Sequence, residues 1–557
     1  MLRRLDATTN LSGHDVCIVG AGPAGIAAAL ACEDGGLSVL LIESGLQSEQ
    51  PAVEGLSTAA VDPARHAPVE IAARRGLGGT SRWWGGRCVP YDDIDFAPRA
   101  HLPLAAWPIP HEALSSRYDR AAAFFDIGSA DFGWAAPDGS VRDGAGFDTL
   151  ERWTPRIDCS EVHGERLQTS DRITVLLDAT VTALEFAAAE DRVEGITVAN
   201  ADWQLRIPVT TLVLSAGGLE TTRILLVAQR EKPERFGGPL GALGRYYAGH
   251  ISGKIADLVL TDPASAVDHD FFRDGDTWVR RRFVLDAEIQ QAKSLLNTAF
   301  WIDNPPFHKP AHQNGILSLV WFILAIPPLG RRLMSEGVRT SHIGPRPHAW
   351  GRQLLNILTH PLTTAVDAIG IVKSRLVDKP RKPGFLLRSR DGRYPLHYHA
   401  EQAPNPDSRA TLGNATDPLG TPRLNIDLRY SDTDVRSVID SHAALDAALR
   451  ASGQGRLDYY AEGEALEVLA LAQATDGFHQ TGLTRMGDDP ATSVVDTDAR
   501  AHGIDNLYIA SASVFPSSGQ ANPTFLVIAL ALRVADTLVA IANRASIASP
   551  PKERAST

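Results

Sequence analysis

Cysteine is scarce in this chain of 557 residues. There are four, Cys17, Cys32, Cys88 and Cys159, and no two are spaced as CxxC, which excludes a cysteine-built zinc site and a dense disulfide framework and leaves reduced thiols as the expectation. Basic charge is short as well: 54 Lys and Arg stand against 66 Asp and Glu, for a net charge of −12. That balance offers little to a phosphate backbone, so no nucleic-acid partner is expected. Met1 to Gly13 carries Arg3 and Arg4 but no apolar core of a secretory signal, which makes the cytoplasm the expected compartment. GxSxG, Walker A and HExxH patterns are missing, so acyl transfer, phosphoryl transfer and zinc proteolysis have no footing.

The hydrophobic stretch Gly315 to Leu329 falls short of the roughly 20 residues a spanning helix needs, and Pro327 with Pro328 would end it early. It reads as a buried helix or an interfacial anchor. Arg331 and Arg332 follow it, and Lys373, Arg375, Lys379, Arg381 and Lys382 come later, so a peripheral membrane contact through 315–332 stays open.

What is present is the pattern of a globular protein with more than one domain: 44% hydrophobic and 22% charged residues in a length beyond one core's usual reach. His14 to Val19 is an apolar run, Pro23 to Asp34 a small-residue helix and Ser38 to Glu43 a second buried strand, which together predict a β-α-β unit. Between strand and helix lies Gly20-Ala-Gly22-Pro-Ala-Gly25, the dinucleotide fingerprint in its required context. Its glycines permit the tight turn, the close approach to pyrophosphate and the helix packing, and the helix N-terminus offers free N–H groups. Glu43 ends the next strand, where it would accept from a ribose diol. A second strand, Thr211 to Ala216, runs into Gly217-Gly218 and a helix, and a third, Leu507 to Ala510, precedes the apolar helix Pro523 to Ala542. The irregular, glycine- and tryptophan-rich stretch from Gly76 to Asp95 is long enough to suggest a functional loop. Only the first dozen residues and the tail look loose.

Three further segments match one family in order: Gly78-Gly-Thr-Ser-Arg-Trp-Trp-Gly85, Ser215-Ala-Gly-Gly-Leu-Glu-Thr-Thr-Arg223 and the block His479 to Arg533. On them the chain resembles the glucose-methanol-choline (GMC) FAD-dependent oxidoreductases, with motifs nearest the pyranose-oxidising branch. The resemblance implies an α/β fold: a Rossmann-type FAD-binding domain, discontinuous in sequence, joined to an α+β substrate-binding domain on an antiparallel sheet. The divisions expected are 1–110, 166–248 and 476–545 for the FAD domain, 111–165 and 249–475 for the substrate domain, and a disordered tail, 546–557.

The resemblance also assigns roles. His479 would be the base and Asn522 its partner at the reactive edge of the flavin, so that a hydroxyl-bearing carbon gives up hydride to flavin N5. Gly79, Thr80 and Ser81 would lie near pyrophosphate and ribityl, Val181 would meet adenine through its backbone, Ala216 and Gly217 would lie by the adenosine, and Ser511 and Ala512 by the ribityl chain. Many relatives have aspartate where Ser511 stands. Several attach FAD through a histidine where this chain has Trp83, so FAD is expected to be non-covalent, with Trp83 or Trp84 packing by the isoalloxazine. An imidazole that takes a hydroxyl proton and an amide that donates to the developing alkoxide are what such chemistry needs. Asn522, just before Pro523, would equally serve as a helix cap. The substrate expected is a sugar, glycoside or polyol, and the electron acceptor O2 or an external one. The rival readings are a lyase or decarboxylase that retains FAD, and a membrane-associated dehydrogenase serving quinone or haem. His397 and His399, two apart with no third ligand near, read as paired surface or packing groups, and no metal is expected.

Overall fold

The computed structural model describes residues 1–6, 11–135, 144–333 and 336–548. Most of the expected tail lies outside the described residues, but 546–548 form the end of the helix Thr524–Ala548.

Short Val/Ile/Leu runs flanked by glycine turns suit strands buried on both faces, and they assemble a six-stranded parallel sheet. Its order is Leu2–Arg4, Ile173–Leu177, Val39–Ile42, Val16–Val19, Leu212–Leu214, Leu507–Ile509. The N-terminus is thus an edge strand, in contrast to the loose start expected; three residues are too few to show a pattern. The helix Pro23–Asp34 packs on this sheet and against Thr524–Ala548. Small residues allow the approach: a Cβ on Gly35, just past the first helix, would sit 2.2 Å from Val539 Cγ2. Thr524–Ala548 contains a stretch long and apolar enough to cross a membrane, but over half of that stretch is buried in this domain.

The second layer is an eight-stranded antiparallel sheet with the main order Gly455–Tyr459, His250–Leu260, Arg393–Glu401, Thr298–Ile302, Thr277–Leu285, Ala145–Trp153, Arg87–Cys88. The helix Asp432–Ala451, opened by a reciprocal cap between Ser431 and Asp434, buries Val435, Val438, Leu445 and Leu449 in the same core as Phe300 and Tyr398. Arg87–Cys88 belongs to this sheet although it directly follows the glycine-rich loop. The chain therefore crosses between layers close to the cavity that separates them. A buried ion pair also spans distant sequence: Arg99 Nη1 and Nη2 donate to Glu401 at 2.6 and 2.7 Å, with neither side chain more than 1% exposed.

The segment after Thr298–Ile302 carries the hydrophobic stretch Gly315 to Leu329 among several proline-containing breaks. Among the described residues it holds the helices Gly315–Ala325, Pro327–Leu333, Glu336–Ile343, Trp350–Thr359 and Pro361–Val372. The first turns Leu317, Trp321 and Leu324 inward, against Phe307, to make a small core of its own. The apolar residues of the last two behave differently, as described below.

Candidate active site

The glycine turn is held by contacts that admit no side chain. Gly20 has φ +101°, and a Cβ on Gly25 would stand 1.9 Å from the Gly20 carbonyl oxygen. The loop of Gly76 to Arg82 closes onto this turn: Gly78 N–H donates to the Ala21 carbonyl at 2.9 Å, and a Cβ on Gly79, at φ +54°, would meet Gly22 Cα at 2.9 Å. Glu43 accepts from the Ala21, Gly45 and Gly76 amides, each at 2.9 Å. Burial raises its pKa, and those three amides work against the rise.

A cavity of about 890 Å³ runs from Glu43 and Val181 to His479 and Asn522. Gly20, Gly22, Gly79, Thr80, Ser81, Trp84, Ala216, Ser511 and Ala512 all line it, while Gly25 lies behind, in the helix packing. Some side chains expected to face a cofactor are engaged by protein instead. Ser81 Oγ donates to Gly78 O at 2.6 Å, Thr80 Oγ1 accepts from Arg74 N at 3.0 Å, and Ser511 Oγ accepts from Ser513 N at 3.2 Å as a cap. Val181 sits where the ladder with Val193–Ala199 slips, between 181 and 183. Trp84 donates to the Ile157 carbonyl at 2.8 Å and tilts against Phe125, and Trp83 reaches Glu49.

A dinucleotide carrying a flavin fits this lining. Gly22 opens a helix with no side chain capping its first turn, which leaves amide donors for phosphate oxygens, whereas in the helix after Gly217 the Leu219 amide already donates to Gln480 Oε1 at 3.0 Å. At Gly20 and Gly79 backbone meets backbone, whereas Gly22, on the cavity wall, has no atom within 4 Å of where a Cβ would stand.

At the far end, His479 and Asn522 meet. Asn522 Nδ2 donates to His479 Nε2 at 2.7 Å, and His479 Nδ1 donates to Asp476 Oδ2 at 2.9 Å. This chain of bonds fixes the tautomer: the proton sits on Nδ1 and the Nε2 lone pair faces Asn522. Arg87 fixes the amide in turn. Its Nε donates to Asn522 Oδ1 at 2.7 Å, its Nη2 contacts the same oxygen, and its Nη1 donates to Glu151 at 3.0 Å. Arg280 shares Glu151, donating at 2.5 and 3.0 Å, and lies near the faces of Trp153 and Trp301. Burial alone would raise the Glu151 carboxyl, but Arg280, Arg87 and Arg282 outweigh it and hold the pKa below the usual range.

Asp476 has the same character. Burial would push its carboxyl up, yet the facing His479 and His250 hold it well below its ordinary value, and it accepts from the backbone amides of His250, Phe478 and His479. His250 stacks on His399 at 4.1 Å and meets His479 edge-on at 4.6 Å. Burial lowers the pKa of both His250 and His399. Of the two expectations for His399, surface or packing, the structure shows packing: it is 5% exposed and stacked on His250, and it also lines the cavity beside the expected base. Its strand position gave no sign of which face points inward. The ring nitrogens of His250, His399 and His479 come within 4.8 Å of one another, as metal ligands would. Both nitrogens of His479 are already committed, however, so a metal would have to displace a protein partner.

Sequence reasoning found His479 and Asn522 but not Asp476, Arg87, Glu151, Arg280, His250 or His399. Asp476, three residues before His479, and Arg87, at the end of the glycine-tryptophan block, were the two within reach.

A family model described as GMC oxidoreductase matches residues 404–531, and one described as FAD dependent oxidoreductase matches 15–64. Paromamine 6'-oxidase of Streptomyces fradiae is 36% identical over 132 residues, 24% of this chain and 23% of that protein, so the match spans about a quarter of that relative's length. 2-Methyl-1,2-propanediol dehydrogenase of Mycolicibacterium austroafricanum is 22% identical over 95% of this chain and 96% of its own. The crystal structure of pyridoxine 4-oxidase from Mesorbium loti shares the fold, with a TM-score of 0.51 at 16% identity over 94% of this chain and 99% of that one.

Proposed function

Because this chain belongs to the GMC oxidoreductases and takes FAD, we propose that it oxidises a hydroxyl-bearing carbon of a sugar, glycoside or polyol to a carbonyl. The observation that carries the reading is the run Arg87, Asn522, His479, Asp476 at one end of a cavity whose other end is a dinucleotide turn. FAD, when bound, supplies the two-electron acceptor. The chain's own residues handle the proton and the oxygen. A substrate hydroxyl entering between His479 Nε2 and Asn522 Nδ2 gives its proton to the imidazole lone pair. The amide then donates to the oxygen as negative charge grows on it. The imidazolium that forms is stabilised by Asp476, whose carboxylate stays ionised.

Sugar, glycoside and polyol substrates fit relatives named for paromamine and a propanediol. The acceptor in this reading is O2 or an external carrier. Trp83 at the position where a histidine would form the covalent link supports non-covalent FAD; acid precipitation of the protein should release the flavin to the supernatant, and flavin retained in the pellet would contradict this. Four buried, unpaired cysteines suit a reducing cytoplasm.

The test is anaerobic bleaching of the bound flavin against a panel of sugars, glycosides, polyols and simple alcohols, repeated with His479→Ala. One class should bleach the flavin in the parent and fail to do so in the variant. Equal bleaching of both removes His479 from the role; no bleaching by any class removes alcohol oxidation.

A further inference from the structure

The helices Trp350–Thr359 and Pro361–Val372 are amphipathic the wrong way round for water. The polar side chains of Gln353, Asn356 and Thr364 point in, while Arg352, Thr359 and Thr363 are exposed. Gln353 accepts from Ser318 Oγ at 2.6 Å and donates to the Phe307 carbonyl at 2.8 Å, and Asn356 donates to the Pro310 carbonyl at 3.0 Å. Thr364 is buried against Gly315, where an added Cβ would stand 1.9 Å from Thr364 Oγ1. The large apolar side chains point out: Leu358 is 65% exposed, Leu362 82%, Val366 69% and Ile369 69%, and Leu354, Leu355 and Val372 join them. Single exposed leucines are ordinary, but a contiguous face of this kind marks a contact.

Charge says what covers it. Residues 305–390 hold 13 Lys and Arg against 3 Asp and Glu, in a chain whose net charge is −12. Arg352, Lys373, Lys379 and Arg381 are exposed on or next to the apolar helices, and the acids in the segment are Glu336, Asp367 and Asp378. Two copies apposed through this face would set one positive segment against another. An anionic surface would not. At about 1.5 Å per residue the helices measure roughly 15 and 18 Å, short of the roughly 30 Å of a bilayer core. They meet at a bend of 95°, which suits a wedge lying in the interface better than a straight span.

We propose that Trp350–Thr359 and Pro361–Val372 form a docking face for an anionic phospholipid surface, inserted no deeper than the headgroup and acyl boundary with the basic residues set among lipid phosphates. The helix Gly315–Ala325, open as an anchor in the sequence, is instead the internal support of this face. The segment runs on to Pro383 in the wall of the catalytic cavity, so docking brings that cavity close to the lipid surface.

The experiment uses the full-length, flavin-loaded protein, spun with vesicles of phosphatidylcholine alone or of phosphatidylcholine mixed with phosphatidylglycerol. The protein should sediment with the mixed vesicles and much less with the neutral ones. Val366→Glu/Ile369→Glu should weaken this by more than about tenfold, since two apolar side chains lose their burial. Lys373→Glu/Lys379→Glu/Arg381→Glu should weaken it too, as should added salt. These positions are exposed and outside the catalytic set, so melting temperature and turnover of a soluble alcohol should not change. A parent protein that stays in the supernatant with every vesicle overturns the proposal. So does a Val366→Glu/Ile369→Glu variant that binds like the parent. A parent dimer that this variant splits, with no vesicle binding, would assign the face to a second copy. Because the readout is sedimentation, it fails or succeeds independently of the alcohol-oxidation reading.

Discussion

Arg87 decides which way Asn522 faces. With two guanidinium nitrogens on Oδ1, the amide can present only its nitrogen to His479. A lysine keeps the charge beside Glu151 but cannot make the fork. Arg87→Lys is therefore expected to lower kcat by about 10- to 100-fold, the equivalent of one charge-assisted hydrogen bond of roughly 1.5–3 kcal/mol, with flavin retained and KM little changed. Steady-state kinetics on a flavin-normalised basis would show this, and parent-like turnover would remove the positioning role.

The neighbouring imidazoles make the fold sensitive to acid. His250 and His399 are held below their ordinary pKa by burial. Below about 6.5 the unfolded chain takes up protons that the folded one refuses, so stability falls with pH by up to ~1.4 kcal/mol per unit for each group. Asp476 acts lower: its folded pKa is depressed, so its contribution is present above the ordinary carboxyl value of about 3.9 and lost as pH falls through the folded value. Denaturant midpoints measured between about pH 8 and 5 should drop more steeply for the parent than for His399→Gln. Parallel curves would rule this out for His399. His479 and Asn522 were readable because they sit in one local block. Glu151, Arg280 and His399 were not, because they arrive on three strands of a sheet assembled from distant parts of the chain.

Among the elements, the first helix runs over the residues its pattern suggests, and the strands on either side of it are shorter by a residue or two at their ends. The turn between them carries a sharp expectation. Gly25→Ala drives a Cβ into the Gly20 carbonyl, and backbone cannot step aside as a flexible side chain would. The variant should purify with little flavin, read as flavin absorbance per mole of protein; full occupancy would mean the turn yields more easily than its geometry implies. The helices of residues 350–372 were illegible for a related reason. A helix is recognised in sequence by an apolar stripe that faces a core, and here the stripe faces away, between Pro345, Pro347 and Pro380.

At the scale of the molecule, the two layers are tied by contacts between remote segments, and Arg99 with Glu401 is one. Arg99→Met leaves a carboxylate buried without its partner, at a cost of about 3–5 kcal/mol. Adding Glu401→Met should recover most of that loss, since an apolar pair of similar volume is tolerated. Denaturant unfolding of the two variants would check both statements, and a double variant no more stable than Arg99→Met would contradict the second.

The order of strands in the parallel sheet bears on how the protein is made. Leu212–Leu214 lies between Val16–Val19 and Leu507–Ile509. At roughly 5–20 residues per second, a ribosome that has finished the first of these needs about 25 to 100 s more to deliver the last. For that interval one edge of the nascent sheet is open to whatever else is being synthesised nearby, and neither His479 nor Asn522 exists. A chain that stops before residue 479 therefore lacks both residues proposed to act on the substrate, together with the strand Leu507–Ile509 and the helix Thr524–Ala548.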